Sequence, residues 1–358
     1  MVLQSFPKLN SPTKLIFSHM RISFFTIVAI LCMGCKPALQ ITQNNVESSS
    51  QQLLIASHTI SDATWITGAQ STVIRLEDNT VQQYPAPIDS LQLRDVHAFD
   101  ANHVVALSIG EGVASKILRW KEGKWSVPYT LAEPRGFLDC LDFWDDRRGL
   151  VYGDSFDGWP YILTTDDAGE TWQRVDSTAL PRAGDGEGGF ASSGTCVQTR
   201  IDGTAWIGTG AGGNARLLLT QDFGQSWTSI STPMIKGDAA GITSLDFVDD
   251  QKGIIVGGDL QITDAYTSNV FYTKDGGKTW SPTSQPITKG AFYCVAYEKI
   301  SRQEVFVICG PNGADLSTDA GKTWKNISQD DLWRCELSSD GSGWLMGRAG
   351  KLIQLNID

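Results

Sequence analysis

The chain has 358 residues, a formal net charge of −11, 36 glycines and 12 tryptophans. An acidic surplus with no basic stripe leaves nothing to follow a phosphate backbone, which excludes nucleic acid as a partner. One compact core seldom holds a chain this long, whereas radially repeated units that each bury a face against the next do so readily, and the glycine and tryptophan content with many turn residues points to an all-β chain.

The first segment in chain order concerns targeting. Arg21 precedes the apolar run ISFFTIVAILCM, which at 12 residues is too short to span a bilayer and suits the hydrophobic part of a secretory signal. The run ends at Met-Gly-Cys and resembles a bacterial lipoprotein signal, so residues 1–35 are read as a signal peptide cleaved before Cys35, with the lipid on Cys35. The pattern departs at one place: Leu31 stands four residues before Cys35, and Cys32 holds the position where Leu is usual. Met20 is an alternative start, and an uncleaved membrane anchor is the alternative reading of the run. Lys36, in place of the Asp that retains such proteins at the inner membrane, implies an outer-membrane lipoprotein facing the periplasm. Residues 36–52, rich in Gln, Asn and Ser, are read as a tether, and residues 53–358 as the folded domain.

Within that domain an octamer recurs four times: TDDAGETW from Thr165, TQDFGQSW from Thr220, TKDGGKTW from Thr273 and STDAGKTW from Ser317. Its fixed positions are Thr165, Asp167, Gly169 and Trp172; Thr220, Asp222, Gly224 and Trp227; Thr273, Asp275, Gly277 and Trp280; Ser317, Asp319, Gly321 and Trp324. The Asp and Ser/Thr side chains bond nearby backbone N–H groups, the Gly supplies positive φ, and the Trp is expected to enter a core. These residues are read as structural, since an EF-hand loop would place oxygen ligands at alternate positions and a Glu at the twelfth. The four Trp residues stand 55, 53 and 44 residues apart, the spacing of propeller blades.

Apolar runs that stop at glycine allow a count where the octamer has decayed. WITG ends at Gly68, ALSIG at Gly110, LVYG at Gly153, WIG at Gly208, IIVG at Gly257, VICG at Gly310 and WLMG at Gly347. Seven endings predict a seven-bladed β-propeller. The last repeat is one strand short, and the segment Ala38–Gln43 is expected to supply it.

The four octamers resemble Asp-box, or BNR, repeats, found in sialidases, sortilin-type ectodomains, xyloglucanases and photosystem II assembly and stability factors. The pairing of CLDFWDDRRGLVYGD and SLDFVDDQKGIIVGGD with the octamers most resembles the last group, and LPRAGDGEGGFASSGT and GADLSTDAGKTW resemble Bacteroidetes lipoproteins often labelled "oxidoreductase". The resemblance covers residues 50 to 356 and implies the propeller fold. For activity it implies little, because the motif occurs in enzymes and non-enzymes alike.

Cys140, Cys196, Cys294 and Cys335 align with Ser244 at one place in successive first strands, which predicts a column of small residues near the axis, and mostly free, buried thiols, although adjacent ones near a narrow axis could pair. No metal site is expected, since CxxC is absent and His58, His97 and His103 lack ligand spacing. The stretch GTGAGG from Gly208 satisfies GxGxxG, but ARLLLT and an Asp-box follow rather than a helix, so no cofactor is expected and nicotinamide chemistry is disfavoured. There is no GxSxG. Glycoside hydrolysis stays open as the alternative function; it calls for paired carboxyl groups, or in sialidases a Tyr and an arginine triad with a Phe/Tyr-Arg-Ile-Pro motif, which this chain lacks.

Loops entering the first strands and loops joining second to third strands share one rim of a propeller. The candidate binding rim is therefore Arg94, Arg135, Asp154, Trp159, Glu187, Phe190, Asp259, Tyr266, Tyr293, Trp333 and Arg334. Charged groups among exposed aromatics suit recognition, while solvated arginines and aromatics that pack between blades are the plainer reading of the same residues. The resemblance to assembly factors implies a non-catalytic scaffold for another envelope protein. A carbohydrate-active enzyme acting on a glycan is the alternative.

Overall fold

In the computed structural model the described residues are 39–358 apart from 62 and 79, so the signal sequence and Cys35 lie outside them. The strands form seven four-stranded antiparallel sheets. Each is a meander whose first strand lines the axis: Leu54–Ile60, Gln92–Asp100, Leu138–Phe143, Val197–Thr199, Ala240–Phe247, Cys294–Ile300 and Leu332–Leu337 in blades 1 to 7. The expected number of blades is thus found.

Blade 7 takes its outermost strand from the other end of the chain. Ile41–Asn45 pairs antiparallel with Leu352–Ile357, from Ile41 opposite Ile357 to Asn45 opposite Ile353. The strand expected from residues 38–43 is therefore formed slightly later, inside the stretch read as a tether. Residues 46–52 are also engaged: Gly350 N–H donates to the Gln52 carbonyl at 2.7 Å and the Ser48 hydroxyl to the Gly350 carbonyl at 2.7 Å. Polar sequence alone suggested a free linker, but these backbone groups find partners on blade 7.

Five of the seven strand-ending glycines are required for want of space rather than for backbone freedom. A Cβ on Gly68, Gly153, Gly257, Gly310 or Gly347 would overlap the carbonyl oxygen of Leu53, Phe137, Gly241, Ala291 or Asp331, where the chain enters the first strand of the same blade. Outer edges are kept short: the fourth strands of blades 3 and 5 are Gln173–Arg174 and Ser281–Pro282, the latter with proline on the edge.

Apolar packing sits between blades, one cluster per junction. Leu107 and Ile117 of blade 2, for example, meet Leu141, Val151 and Leu163 of blade 3. Each octamer Trp packs back on the preceding blade. Trp172 and Trp227 are buried as expected, whereas Trp280 and Trp324 are only half-buried. The first two also donate their indole N–H to the carbonyl of the octamer Gly, at 3.2 and 3.1 Å, which Trp280 and Trp324 do not.

The cysteines follow expectation in part: most are free and buried, and one adjacent pair near the axis is joined. Cys140 and Cys196 are joined in a disulfide with their Cα atoms 6.0 Å apart, because adjacent first strands approach that closely at the axis; Cys294, Cys309 and Cys335 are free and buried. The column of small residues is also imperfect. Cys140, Ser244 and Cys294 each pair with the residue just before the strand-ending glycine, but in blade 7 that place belongs to Arg334, and Cys335 lies one residue on.

Candidate functional site: a rim cleft above a polar axis

The meander puts first-to-second and third-to-fourth turns on one rim and the other connections on the opposite rim. The four octamers join third to fourth strands and so occupy the first rim. Each is closed the same way. The leading Thr or Ser hydroxyl donates to one Asp oxygen at 2.7 to 2.9 Å. It accepts the Gly N–H at 2.9 to 3.1 Å. The later Thr or Ser donates its N–H to the same carboxylate, at 2.8 to 2.9 Å. Both residues at the tip have positive φ, such as Ala168 at 60° and Gly169 at 80°. Against the upward push of partial burial, these bonds hold Asp167, Asp222, Asp275 and Asp319 below the usual carboxylate range.

On the opposite rim a cleft of about 330 Å³ gathers five of the candidate residues, Arg94, Asp154, Phe190, Tyr293 and Trp333. The Arg94 guanidinium lies 5.1 Å from the centre of the Trp333 ring and donates to the Ala191 carbonyl at 3.3 Å; Tyr293 meets Trp333 edge to face at 4.8 Å. Across the axis, from blade 3, come Asp154 and Asp139, the latter not anticipated from sequence. The Gly189 N–H donates to Asp154 at 3.0 Å, and a Cβ on Gly189 would strike Asp139. Asp139 is 1% exposed, and its Oδ2 has no hydrogen-bond partner among the described residues. Burial, and then the neighbouring Asp154, push its carboxyl well above the usual range. The cleft thus presents two acids on one wall and an Arg–Trp–Tyr stack from blades 2, 6 and 7.

The other candidates lie elsewhere. Glu187 is 2% exposed and is no rim contact: it accepts from Arg216 Nε at 2.7 Å and from the Gly184 N–H at 2.7 Å, which holds a loop folded. Its loop looked polar and open because its partner, Arg216, lies 29 residues away. Trp159 stacks on Arg182, with 4.2 Å between guanidinium and ring centre, and Tyr266 lies 5.6 Å from the Lys289 ammonium. Asp259 accepts the Gln261 N–H at 2.9 Å, and Arg135 is exposed on the loop entering blade 3. The glycines of GTGAGG join two strands, with Gly210 bridging Gly188 and Gly241, so no helix follows them.

Arg334 reaches into the axis instead, donating to the Ser57 carbonyl at 2.8 Å and the Ser193 carbonyl at 3.3 Å across the ring. It borders an axial cavity of about 200 Å³ lined by all seven first strands. Around this cavity, side chains of one blade accept backbone N–H groups of the next. His58 accepts from Ala98 at 3.0 Å, Asp95 from Leu141 at 2.6 Å and Asp142 from Thr199 at 2.8 Å. Gln198 accepts from Phe247 at 2.6 Å, Asp246 from Tyr297 at 2.8 Å and Glu336 from Thr59 at 2.9 Å. Burial pushes Asp246 up to about 7 and Asp95 well above the usual range, and drives His58 well below its own. The one junction without such a bond among the described residues is that of blades 6 and 7, where Ala296 stands in the register place of Asp142, Asp246 and Glu336. Aligning the residues that pair three places before each strand-ending glycine picks out His58, Asp95, Asp142, Asp246 and Glu336, while Gln198 pairs two places before Gly208.

Fold and rim together define a seven-bladed β-propeller with Asp-box repeats, and the BNR/Asp-box repeat model matches residues 271–282. No curated protein sequence matches the chain. Among solved structures, YCF48 bound to D1 peptide superposes with a TM-score of 0.62 at 14% identity, covering 90% of this chain and 99% of that one. YCF48 from Cyanidioschyzon merolae gives 0.62 at 15%, covering 88% and 98%. The GH74 enzyme of Niastella koreensis gives 0.56 at 13%, covering 85% of this chain and 43% of the enzyme. At these identities the likeness is one of fold.

Proposed function

We propose that this propeller is a protein-binding scaffold of the bacterial cell envelope, held to a membrane by lipid on Cys35, that docks an extended segment of a partner in the cleft between Asp139/Asp154 and the Arg94–Trp333–Tyr293 stack. The observation that carries this reading is the cleft itself. It is open and wide, it joins an apolar floor to charged walls, and it holds a buried carboxyl oxygen with no partner of its own, which a donor group on a partner would satisfy. Support comes from the fold shared with YCF48, a photosystem II assembly factor seen with a peptide.

The test is capture from native membranes by the full lipoprotein, compared with W333A and D154N variants. One polypeptide retained by the wild type and lost by both variants supports the reading, and identical capture by all three overturns it. Loss of membrane fractionation in C35S tests the lipid.

A carbohydrate-active enzyme is the second reading, favoured by the shared fold of the GH74 enzyme and by the Asp139 carboxyl, which burial and the neighbouring Asp154 push well above the usual range. The two acids share one wall instead of facing each other, which is against it. Hydrolysis of a glycan panel that disappears in D139N would establish it.

A further inference from the structure

Three free cysteines meet at the junction of blades 6 and 7. Cys294 and Cys309 are direct cross-strand partners in blade 6, and Cys335 lies in the first strand of blade 7 within the same apolar cluster. The Cys294 thiol donates to the Cys335 carbonyl at 3.3 Å, and the Cys335 thiol donates back to the Val307 carbonyl of blade 6 at 3.4 Å. Among the described residues this is also the one junction where no axial side chain accepts a backbone N–H of the next blade, since Ala296 stands in the place of the acceptor. Cys294 occupies the register place of Cys140, and Cys140 is bonded to Cys196, the residue just before the first strand of the next blade, whereas Cys335 lies within its strand.

From this juxtaposition we infer that Cys294 and Cys335 form a second inter-blade disulfide, which closes covalently the junction where the axial acceptor is missing, while Cys309 stays a thiol. The chemistry is exchange with an external disulfide. The Cys294 thiolate attacks one sulfur of the donor and expels the other as a thiolate. The Cys335 thiolate then attacks the Cys294 sulfur of the mixed disulfide and expels the second donor thiolate. Two protein thiols lose two protons and two electrons, and one donor disulfide becomes two thiols. Cys294 and Cys309 are 0% exposed, so the donor meets Cys294 before blade 7 has packed on blade 6.

The strand so fixed also carries Trp333 of the cleft and Arg334 of the axis. A bond at Cys335 therefore clamps the segment that bears part of the binding wall.

The experiment uses the full chain with Cys32 and Cys35 replaced by serine, unfolded under reduction and refolded in a glutathione redox buffer. Thiols are then alkylated and the digest is read by mass spectrometry, with the Cys140–Cys196 peptide as internal control. The expected result is a Cys294–Cys335 linked peptide, with Cys309 alkylated, that persists in C309S and is lost in C335A. Protein in which the control bond has formed while Cys294 and Cys335 are both alkylated overturns the inference. So does a Cys294–Cys309 link.

Discussion

Asp275 satisfies three donors of one turn and none from elsewhere, so its loss is a local matter. Asp275→Ala should cost about 1 to 3 kcal/mol in urea unfolding, the worth of hydrogen bonds to a charged acceptor, and leave partner capture unchanged while the fold survives. A folded variant that no longer captures a partner would move the binding surface to the octamer rim. Asp246 answers to pH with the opposite sign from Asp275. Its folded value, about 7, stands above the ordinary 3.8, so the folded state holds a proton that the unfolded state has released. Its contribution is fully present below about pH 4 and is lost as pH rises through about 7. Stability measured across that range should decline with pH, and D246N should flatten the decline. The octamer carboxylates, held low, lose their contribution only in stronger acid.

At the scale of the strand and its turn, the four octamers share one hydrogen-bond scheme yet differ in what their Trp residues cover. Trp172→Ala removes a buried ring and should cost about 3 to 5 kcal/mol, whereas Trp280→Ala, on a half-buried ring, should cost clearly less in the same measurement. Equal losses would show that exposure is a poor guide to the worth of this ring. The octamers were legible in sequence because their chemistry is local: Asp, Gly and the hydroxyls act within a few residues. The same holds for the strand-ending glycines, which yielded the number of blades. Burial of the Trp was less legible, since it depends on what the preceding blade supplies. Glu187 misled for the same reason, its loop being closed by Arg216, and the Cys140–Cys196 bond stayed only a possibility because spacing in sequence does not reveal how near adjacent blades pass at the axis. Asp139 went unremarked inside an apolar phrase, FLDCLDF, whose alternation says only which side it faces.

Across the whole molecule, each blade touches its two neighbours, so stability accrues junction by junction and the ring is worth more than its parts only when the last junction closes. Removing residues 39–45 should expose the Leu352–Ile357 strand and raise hydrogen exchange in blade 7 first, with blades 3 and 4, which share a disulfide, the last to lose protection. Uniform loss of protection around the ring would show that closure is cooperative throughout.

The pairing of Ile41–Asn45 with Leu352–Ile357 has a further consequence. Every other strand finds its partner nearby in the chain, but this one waits for a partner some three hundred positions away, the costliest search in the molecule. Until it succeeds, the last strand offers an unpaired edge to any extended peptide that arrives first. During biogenesis the same edge is open to a second copy of the chain, whose own Ile41–Asn45 fits it equally well. Crowding nascent molecules together would then favour dimers that trade their first strands, intact in every blade and wrong only in which molecule completes which ring.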